Sequence, residues 1–485
     1  MVEINLKSLA IGMLLGVLLC SNVSNSFCNS PFSSATFSSA VDDAPSGDDP
    51  SATATAAAAA SPPKAHPAKT DSASPPEKFT PDAMFQTQYD EIDNEDIEKK
   101  CARYNLKYNP SSPERRVFFG SMIANDAIQM LKMHATEVYD LYDVMVLVES
   151  NTTHMATPRE MRFIPGKEGY EFMYSGAWGP NTKIRMSYWL EERPDLMYMS
   201  RERTQRNTIV QGWVAEGMTE NDIAIMSDMD ETFTRDYLLA IKKCEPPDHI
   251  LAKDCKKVKL LGSSLVFQSS PECISQRNWY HPDWTLGQCM QGVGDASIRV
   301  PRKYKSDKSP ACGGGNYCSD GRQDLYDADQ IKDGMYPLLS GTDLRELPQG
   351  NMATVWNRDD EHTTTAFHFH NMFADLVKLR DKYATYAHGS FSMVKRPLGE
   401  IEQDLDVVVR CSHGYPNDIN PEGRLRYEEG FEKYKGSKPI YFANSTYRKE
   451  RHTDLIRMMA EDEAKWGKTY NESFVSQYLH AAKEK

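Results

Sequence analysis

The chain has 485 residues, 40% of them hydrophobic and 26% charged, with a net charge of −13. That length fits one large domain or two ordinary ones, and the composition is that of a folded, water-soluble protein and not of one with many membrane passes. A nucleic-acid surface needs a concentrated basic footprint; the acidic balance and the lack of a long Lys/Arg block set that class aside.

Residues 9–19 form an almost unbroken apolar run behind Lys7. The stretch 8–23 falls short of the ~20 apolar residues that cross a bilayer comfortably, so residues 1–28 read as either a signal peptide or a short signal-anchor. The flank that follows is uncharged to Ser39, while the amino terminus and Lys7 precede the run. This charge asymmetry favours a cytosolic N-terminus and a lumenal remainder. Residues 29–81 turn to Ala, Ser, Pro, Thr and Asp, a composition that cannot bury a core and predicts a disordered stalk.

Ten cysteines and Asn-x-Ser/Thr sequons at Asn151, Asn444 and Asn471 agree with an oxidising, glycosylating compartment. The spacings Cys244/Cys255 and Cys312/Cys318 suit loop-closing disulfides. A zinc site would want Cys-x-x-Cys or closely spaced Cys and His, and neither pattern occurs.

Residues 82–485 read as the folded part. After a polar stretch containing Cys101, residues 117–122 predict a strand, 127–139 a helix and 144–148 a second strand, which is a βαβ opening. A second unit follows, with a helix over 202–217, a turn at 219–221 and the apolar strand 223–226. Strands alternating with helices argue for an α/β fold with a mostly parallel sheet covered on both faces. The expected division is a ligand-binding half over 115–243, a disulfide-pinned region over 244–400 that would face a second substrate and is irregular over 245–350, and a C-terminal extension over 401–485. Two later helices are expected, over 371–386 and 452–466.

Three Asp-x-Asp triplets occur, Asp228/Asp230, Asp327/Asp329 and Asp404/Asp406, about what chance allows. Ligands of open α/β sheets bind beyond the carboxyl ends of the strands, and of the three only Asp228 and Asp230 directly follow a predicted strand. Two carboxylates there offer hard oxygen ligands to Mn²⁺ or Mg²⁺, with water and a pyrophosphate completing the shell.

The run Arg203, Gln205, Arg206, Asn207, followed by residues 221–231 with Asp228-Met-Asp230-Glu231, resembles the signature of glycosyltransferase family 17, the bisecting β-1,4-mannosyl-glycoprotein N-acetylglucosaminyltransferases. Residues 116–122 with Leu131, Glu137 and Tyr139 are similar to the family's opening strand and helix, and residues 146–151 to its next strand and turn. Residues 366–371, leading toward Lys378 and Lys382, resemble its Gly-Trp-His-x-Ser segment, with Phe367 in place of Trp. The resemblance implies a nucleotide-diphosphosugar transferase (GT-A-like) fold. It also implies inverting transfer of N-acetylglucosamine from UDP-N-acetylglucosamine to a mannose hydroxyl of an N-linked glycan, in a single-pass Golgi membrane protein with a lumenal catalytic domain, or a secreted one.

That chemistry assigns roles. Asp228 and Asp230 are the expected metal ligands; Arg206 and His368 are candidates to stabilise the departing UDP, whose two negative charges need a cation. Gln205 and Asn207 are candidates for hydrogen bonds to uracil or ribose. Inversion also needs a carboxylate to take the acceptor's proton, for which Glu149, Glu231 and the Asp359-Asp360-Glu361 run stand as candidates. Two rival readings remain open. A strand followed by Asp228-x-Asp230-x-Thr232 also matches the opening of haloacid-dehalogenase-like phosphatases, with Asp228 as nucleophile. A stalked, non-catalytic lumenal binding protein fits the targeting, sequon and cysteine signals equally well.

Overall fold

The computed structural model describes residues 83–154, 157–190, 198–251, 255, 259–294, 299–301, 336–346, 363–373, 378–379, 382, 424–425, 427–433 and 437–466. The apolar N-terminal run, the stalk, Cys312/Cys318, Asn471, the triplets at 327/329 and 404/406, and Asp359 to Glu361 lie outside the described residues. No described helix is long and apolar enough to cross a membrane.

In chain order the strands are β1 (Val117–Ile123), β2 (Val144–Ser150), β3 (Lys183–Trp189), β4 (Ile223–Met226), β5 (Glu231–Phe233), β6 (Leu260–Leu261), β7 (Ser264–Gln268), β8 (Ile274–Trp279), β9 (Asp283–Leu286), β10 (Arg299–Pro301), β11 (Tyr336–Leu338), β12 (Ala366–His370) and β13 (Arg424–Leu425). The helices are α1 (Ala83–Asp93), α2 (Ile97–Arg103), α3 (Ile128–Val138), α4 (Glu168–Met173), α5 (Tyr198–Ala215), α6 (Arg235–Lys243), α7 (Asp248–Leu251), α8 (Gly341–Glu346), α9 (Tyr427–Lys433), α10 (Ile440–Ala443) and α11 (Ser445–Trp466).

A six-stranded sheet ordered β3-β2-β1-β4-β9-β6 forms the centre. Its first four strands run parallel, β9 pairs antiparallel to β4, and β6 pairs antiparallel to β9. Both faces of this sheet are covered, which is why β1, β2 and β4 are near-continuous apolar runs and not alternating ones. One face sets Phe119, Met145, Leu147 and Ile225 against Met130 and Leu131 of α3. The other sets Phe118, Val146, Val148 and Met226 against Ile209, Val210 and Trp213 of α5. Each such aliphatic or phenyl side chain contributes about 1.5–3 kcal/mol relative to exposure. The second face is packed backbone to helix: a Cβ at Gly120 would stand 2.2 Å from Ile209, and the Trp213 indole N–H donates to the Phe119 carbonyl at 3.1 Å.

The expected strands and helices of both βαβ units are present, and β3 is an element that periodicity alone does not reveal. It is the sheet's edge, so its Lys-Ile-Arg-Met-Ser-Tyr-Trp pattern stays partly exposed throughout and lacks the apolar run of its neighbours.

Region 244–350 corrects an expectation. Its described residues supply β6 to β11 where irregular structure was expected, residues 302–335 and 347–350 lying outside them, and β7 and β8 enter a second, five-stranded sheet ordered β13-β8-β7-β12-β5. Within it β7 and β8 pair antiparallel, β12 runs parallel to β7, and β5 closes the far edge against β12. Strands this short take their stability from long-range pairing and packing more than from local propensity. The expected helix over 371–386 is also corrected at its start: 371–373 are not helical and Asn371 sits at φ 58°, while the described residues 378, 379 and 382 are helical. The last helix, in contrast, begins earlier than expected, at Ser445.

The disulfide pairing differs from the spacing argument. Cys244 bonds Cys101, 143 residues away, and Cys255 bonds Cys289, 34 residues away. Contiguity misled here because α2 returns to pack on α6. Lys100 and Tyr104 both reach buried Asp236, at 2.8 Å and 2.7 Å, which places Cys101 beside the end of α6.

Candidate functional site

Asp228 and Asp230 leave the carboxyl end of β4, and Glu231 opens β5, so the four-residue turn 227–230 and the residue after it hand three carboxylates from the first sheet to the second. The turn is fixed from below. His134 of α3, fully buried, bonds the Met229 carbonyl through Nδ1 at 2.9 Å and the Tyr142 hydroxyl through Nε2 at 3.1 Å. Burial depresses its pKa to about 4, so the imidazole is neutral.

Asp228 stands between two guanidiniums. Arg206 of α5 donates to Oδ1 at 2.8 Å and Arg345 of α8 donates to Oδ2 at 2.9 Å. Burial pushes this carboxyl up, but the charges of Arg345 and Arg206 outweigh it and hold the group well below the usual carboxylate range. Its side chain is nonetheless 41% exposed, so a ligand can reach it. Asp230 faces the other way, with His368 Nε2 at 3.5 Å from Oδ2. Burial again raises its pKa, and the His368 and Lys382 charges bring it down to about 2.

Glu231 is fully buried, with both oxygens engaged. Arg345 grips it bidentately at 2.7 and 2.9 Å, the Trp279 indole N–H donates to Oε1 at 2.8 Å, and the Ser227 hydroxyl and Asp228 N–H donate to Oε2 at 3.1 Å each. Glu149, at the end of β2, is similarly committed: it accepts the backbone N–H groups of Arg162 at 2.6 Å and Phe163 at 2.9 Å, shaping the loop that follows β2. Burial raises its pKa against those two bonds.

The remaining sequence candidates divide in two. Gln205 and Arg206 are buried on α5, and Gln205 Nε2 and Arg206 Nη1 find no hydrogen-bond partner. Asn207 instead turns to α8, where its Oδ1 accepts the Thr342 N–H at 3.0 Å and the Thr342 hydroxyl at 3.1 Å. This is a helix cap supplied from another element. Close approach requires glycine at the neighbouring position: a Cβ on Gly341 would lie 2.1 Å from the Arg206 carbonyl.

Arg345, Asp283, Lys259, Trp279 and Asp126 belong to the site and were not among the sequence candidates. Lys259 pairs with buried Asp283 at 2.7 Å and also caps the carbonyls of Leu344 and Arg345 at 2.8 and 3.2 Å. It thereby anchors the helix that carries Arg345. Asp126, directly after β1, has its pKa pushed up to about 6, chiefly by burial and with the Asp230 charge adding to it. A residue following a strand end was the one signal available for Asp126; the others carry no spacing pattern.

Asp230, Glu231 and His368 each offer a ligand atom, all within 4.8 Å of one another. Carboxylate and imidazole donors can together hold a divalent cation. Of the three, Asp230 is the freest to serve, because Arg345 occupies both oxygens of Glu231. Asp228 accepts one hydrogen bond on each oxygen, and a carboxylate oxygen can take a second partner.

Residues 74–257 match the family model of glycosyltransferase family 17. No curated protein matches the chain significantly.

Proposed function

From a chain that carries a glycosyltransferase family 17 domain at residues 74–257, we propose an inverting transferase that moves N-acetylglucosamine from UDP-N-acetylglucosamine to a mannose hydroxyl of an N-linked glycan. The observation that carries this reading is the turn after β4, where an exposed and strongly ionised Asp228 and a low-pKa Asp230 stand at the carboxyl end of a parallel sheet. Ligands of such sheets bind at that end.

Asp230, with Asp228 and His368 beside it, would hold the cation, which when bound neutralises charge on the leaving diphosphate. Arg206 and Arg345 keep Asp228 ionised over the whole physiological range. The unpartnered Nη1 of Arg206 and Nε2 of Gln205 are buried donors available to the nucleotide. Asn207 acts one step removed, by seating α8 and therefore Arg345. Glu231, whose oxygens already take five hydrogen bonds, holds the turn, while Glu149, with one hydrogen bond on each oxygen, holds the loop after β2 and keeps room for a further partner. The lumenal, membrane-tethered Golgi setting rests on the N-terminal apolar run, the sequons and the cysteines.

Calorimetric titration of UDP and UDP-N-acetylglucosamine, with and without Mn²⁺, tests the reading. Metal-dependent binding is expected, weakened at least about 100-fold in Asp230→Ala and in the Asp228→Ala/Asp230→Ala double variant. A folded protein that binds no nucleotide under any metal condition, or that instead hydrolyses phosphomonoesters in an Asp228-dependent way, overturns it.

A further inference from the structure

Beyond the carboxylates, the second sheet carries a row of flat side chains. His281 and Trp279 stand two residues apart, with ring centroids 5.2 Å apart. Trp279 lies 5.0 Å from His368, tilted 31°, and His368 lies 4.8 Å from His370, two residues further along β12. The row crosses strands because Trp279 pairs in register with Ser264 of β7, whose small side chain leaves room for the indole to reach β12 and β5. Its N–H is pinned to Glu231, which fixes the ring plane beside the turn bearing Asp228 and Asp230.

Two features distinguish this row from ordinary core packing. Trp279, His281 and His370 are partly exposed, whereas the aromatic residues of the opposite face of β12, Phe367 and Phe369, are buried. The row also carries unspent polar atoms. His368 Nδ1 and Gln268 Nε2 are buried and without a hydrogen-bond partner, although Gln268 Oε1 is bonded by His370 at 2.8 Å. Buried polar atoms are normally satisfied, and unsatisfied ones beside a reactive centre point to a ligand that completes them.

We propose that the row from Trp279 to His370, with Gln268, is the acceptor subsite, and that it binds the sugar units flanking the reactive hydroxyl. Rings present flat apolar faces to the C–H faces of pyranoses, while the unpaired nitrogens meet hydroxyls. This inference rests on the transferase reading above and adds the element that selects an oligosaccharide over a single sugar.

The test uses the full-length enzyme with UDP-N-acetylglucosamine and a biantennary N-glycan, measuring acceptor KM by transfer and donor Kd by calorimetry. Trp279→Leu is expected to raise acceptor KM about tenfold. Gln268→Met and His370→Ala, which touch neither the acidic turn nor Arg345, are expected to raise it several-fold with donor Kd within about twofold. Gln268→Met is the sharper variant, since Nε2 bonds nothing in the free protein and a packing role would show as a stability change without a KM change. Unaltered acceptor KM in Gln268→Met and His370→Ala overturns the inference while leaving the transferase reading intact. Parallel loss of donor binding in Gln268→Met and His370→Ala also overturns it, placing the row in the donor pocket. If the wild type transfers nothing to this glycan, the functional reading fails and saturation-transfer NMR judges the row directly. A saturation signal on the glycan that is strong with the wild type and abolished by Trp279→Leu then upholds the subsite, and a wild type that gives no such signal removes it.

Discussion

The two sheets divide the labour of one site differently. The first is aliphatic, parallel and sequential: β1, β2 and β4 are buried on both faces, and its gift to the site is position, the Asp228 and Asp230 turn at the end of β4. The second is assembled from strands far apart in the chain, and together with α8 it supplies what the turn lacks, namely countercharge from Arg345, an imidazole from His368 and the indole of Trp279. The difference teaches that acidity alone does not make this site; Asp228 and Glu231 are held in usable form by a guanidinium delivered from over 100 residues downstream, with Arg206 adding to it at Asp228.

The most severe way to break that arrangement is to remove Arg345. Arg345→Met leaves Glu231 and Asp283 buried without this partner, and a loss of about 3–5 kcal/mol is expected in denaturant unfolding. Arg345→Lys keeps the charge but not the bidentate grip, and should recover part of the loss. Near-wild-type stability for Arg345→Met would show that α8 does not sustain the carboxylates of the turn.

The contribution from beneath the turn is tested by acid. The folded pKa of His134 lies near 4, below the ordinary value of 6.5. A depressed pKa contributes stability that is present above about 6.5 and lost as pH falls through 4, because the fold must then accommodate an imidazolium. Up to about 3 kcal/mol should disappear over that window. His134→Phe is expected to flatten this part of the stability-versus-pH curve, and an unchanged slope would contradict the assignment.

The smallest expected effect concerns the joint between the two halves. Asn207→Ala removes the cap on α8 and should cost about 1 kcal/mol of stability. It should also weaken Mn²⁺-dependent nucleotide binding through a less firmly seated Arg345. A stability loss with no change in nucleotide affinity would confine Asn207 to capping.

Legibility in the sequence followed the same division. β1, β2 and β4 were readable as continuous apolar runs because burial on both faces leaves no polar positions. Asp228 and Asp230 were readable because they follow such a run directly. β3 was hidden by its edge position, where Lys183 and Arg185 replace apolar residues. β6, β7 and β9 are at most five residues long, too short for periodicity to register. Arg345 sits on a six-residue helix and Trp279 at the end of a polar strand; nothing local connects either to the turn they serve. Cys101–Cys244 was missed for the same reason, since proximity in space came from α2 packing on α6 and not from spacing.

The position of Lys259 bears on how this protein is cut and expressed. The stretch matching the family ends at residue 257, two residues before the lysine that ties Asp283 to the carbonyls of Leu344 and Arg345. A recombinant fragment trimmed to the matching stretch would keep the acidic turn and discard Lys259, Trp279, Asp283, Arg345 and His368 together. Its Asp228 and Glu231 would then lack most of the donors that stabilise them, so a truncated product that precipitates or fails to bind nucleotide would report a missing half and not an inactive protein.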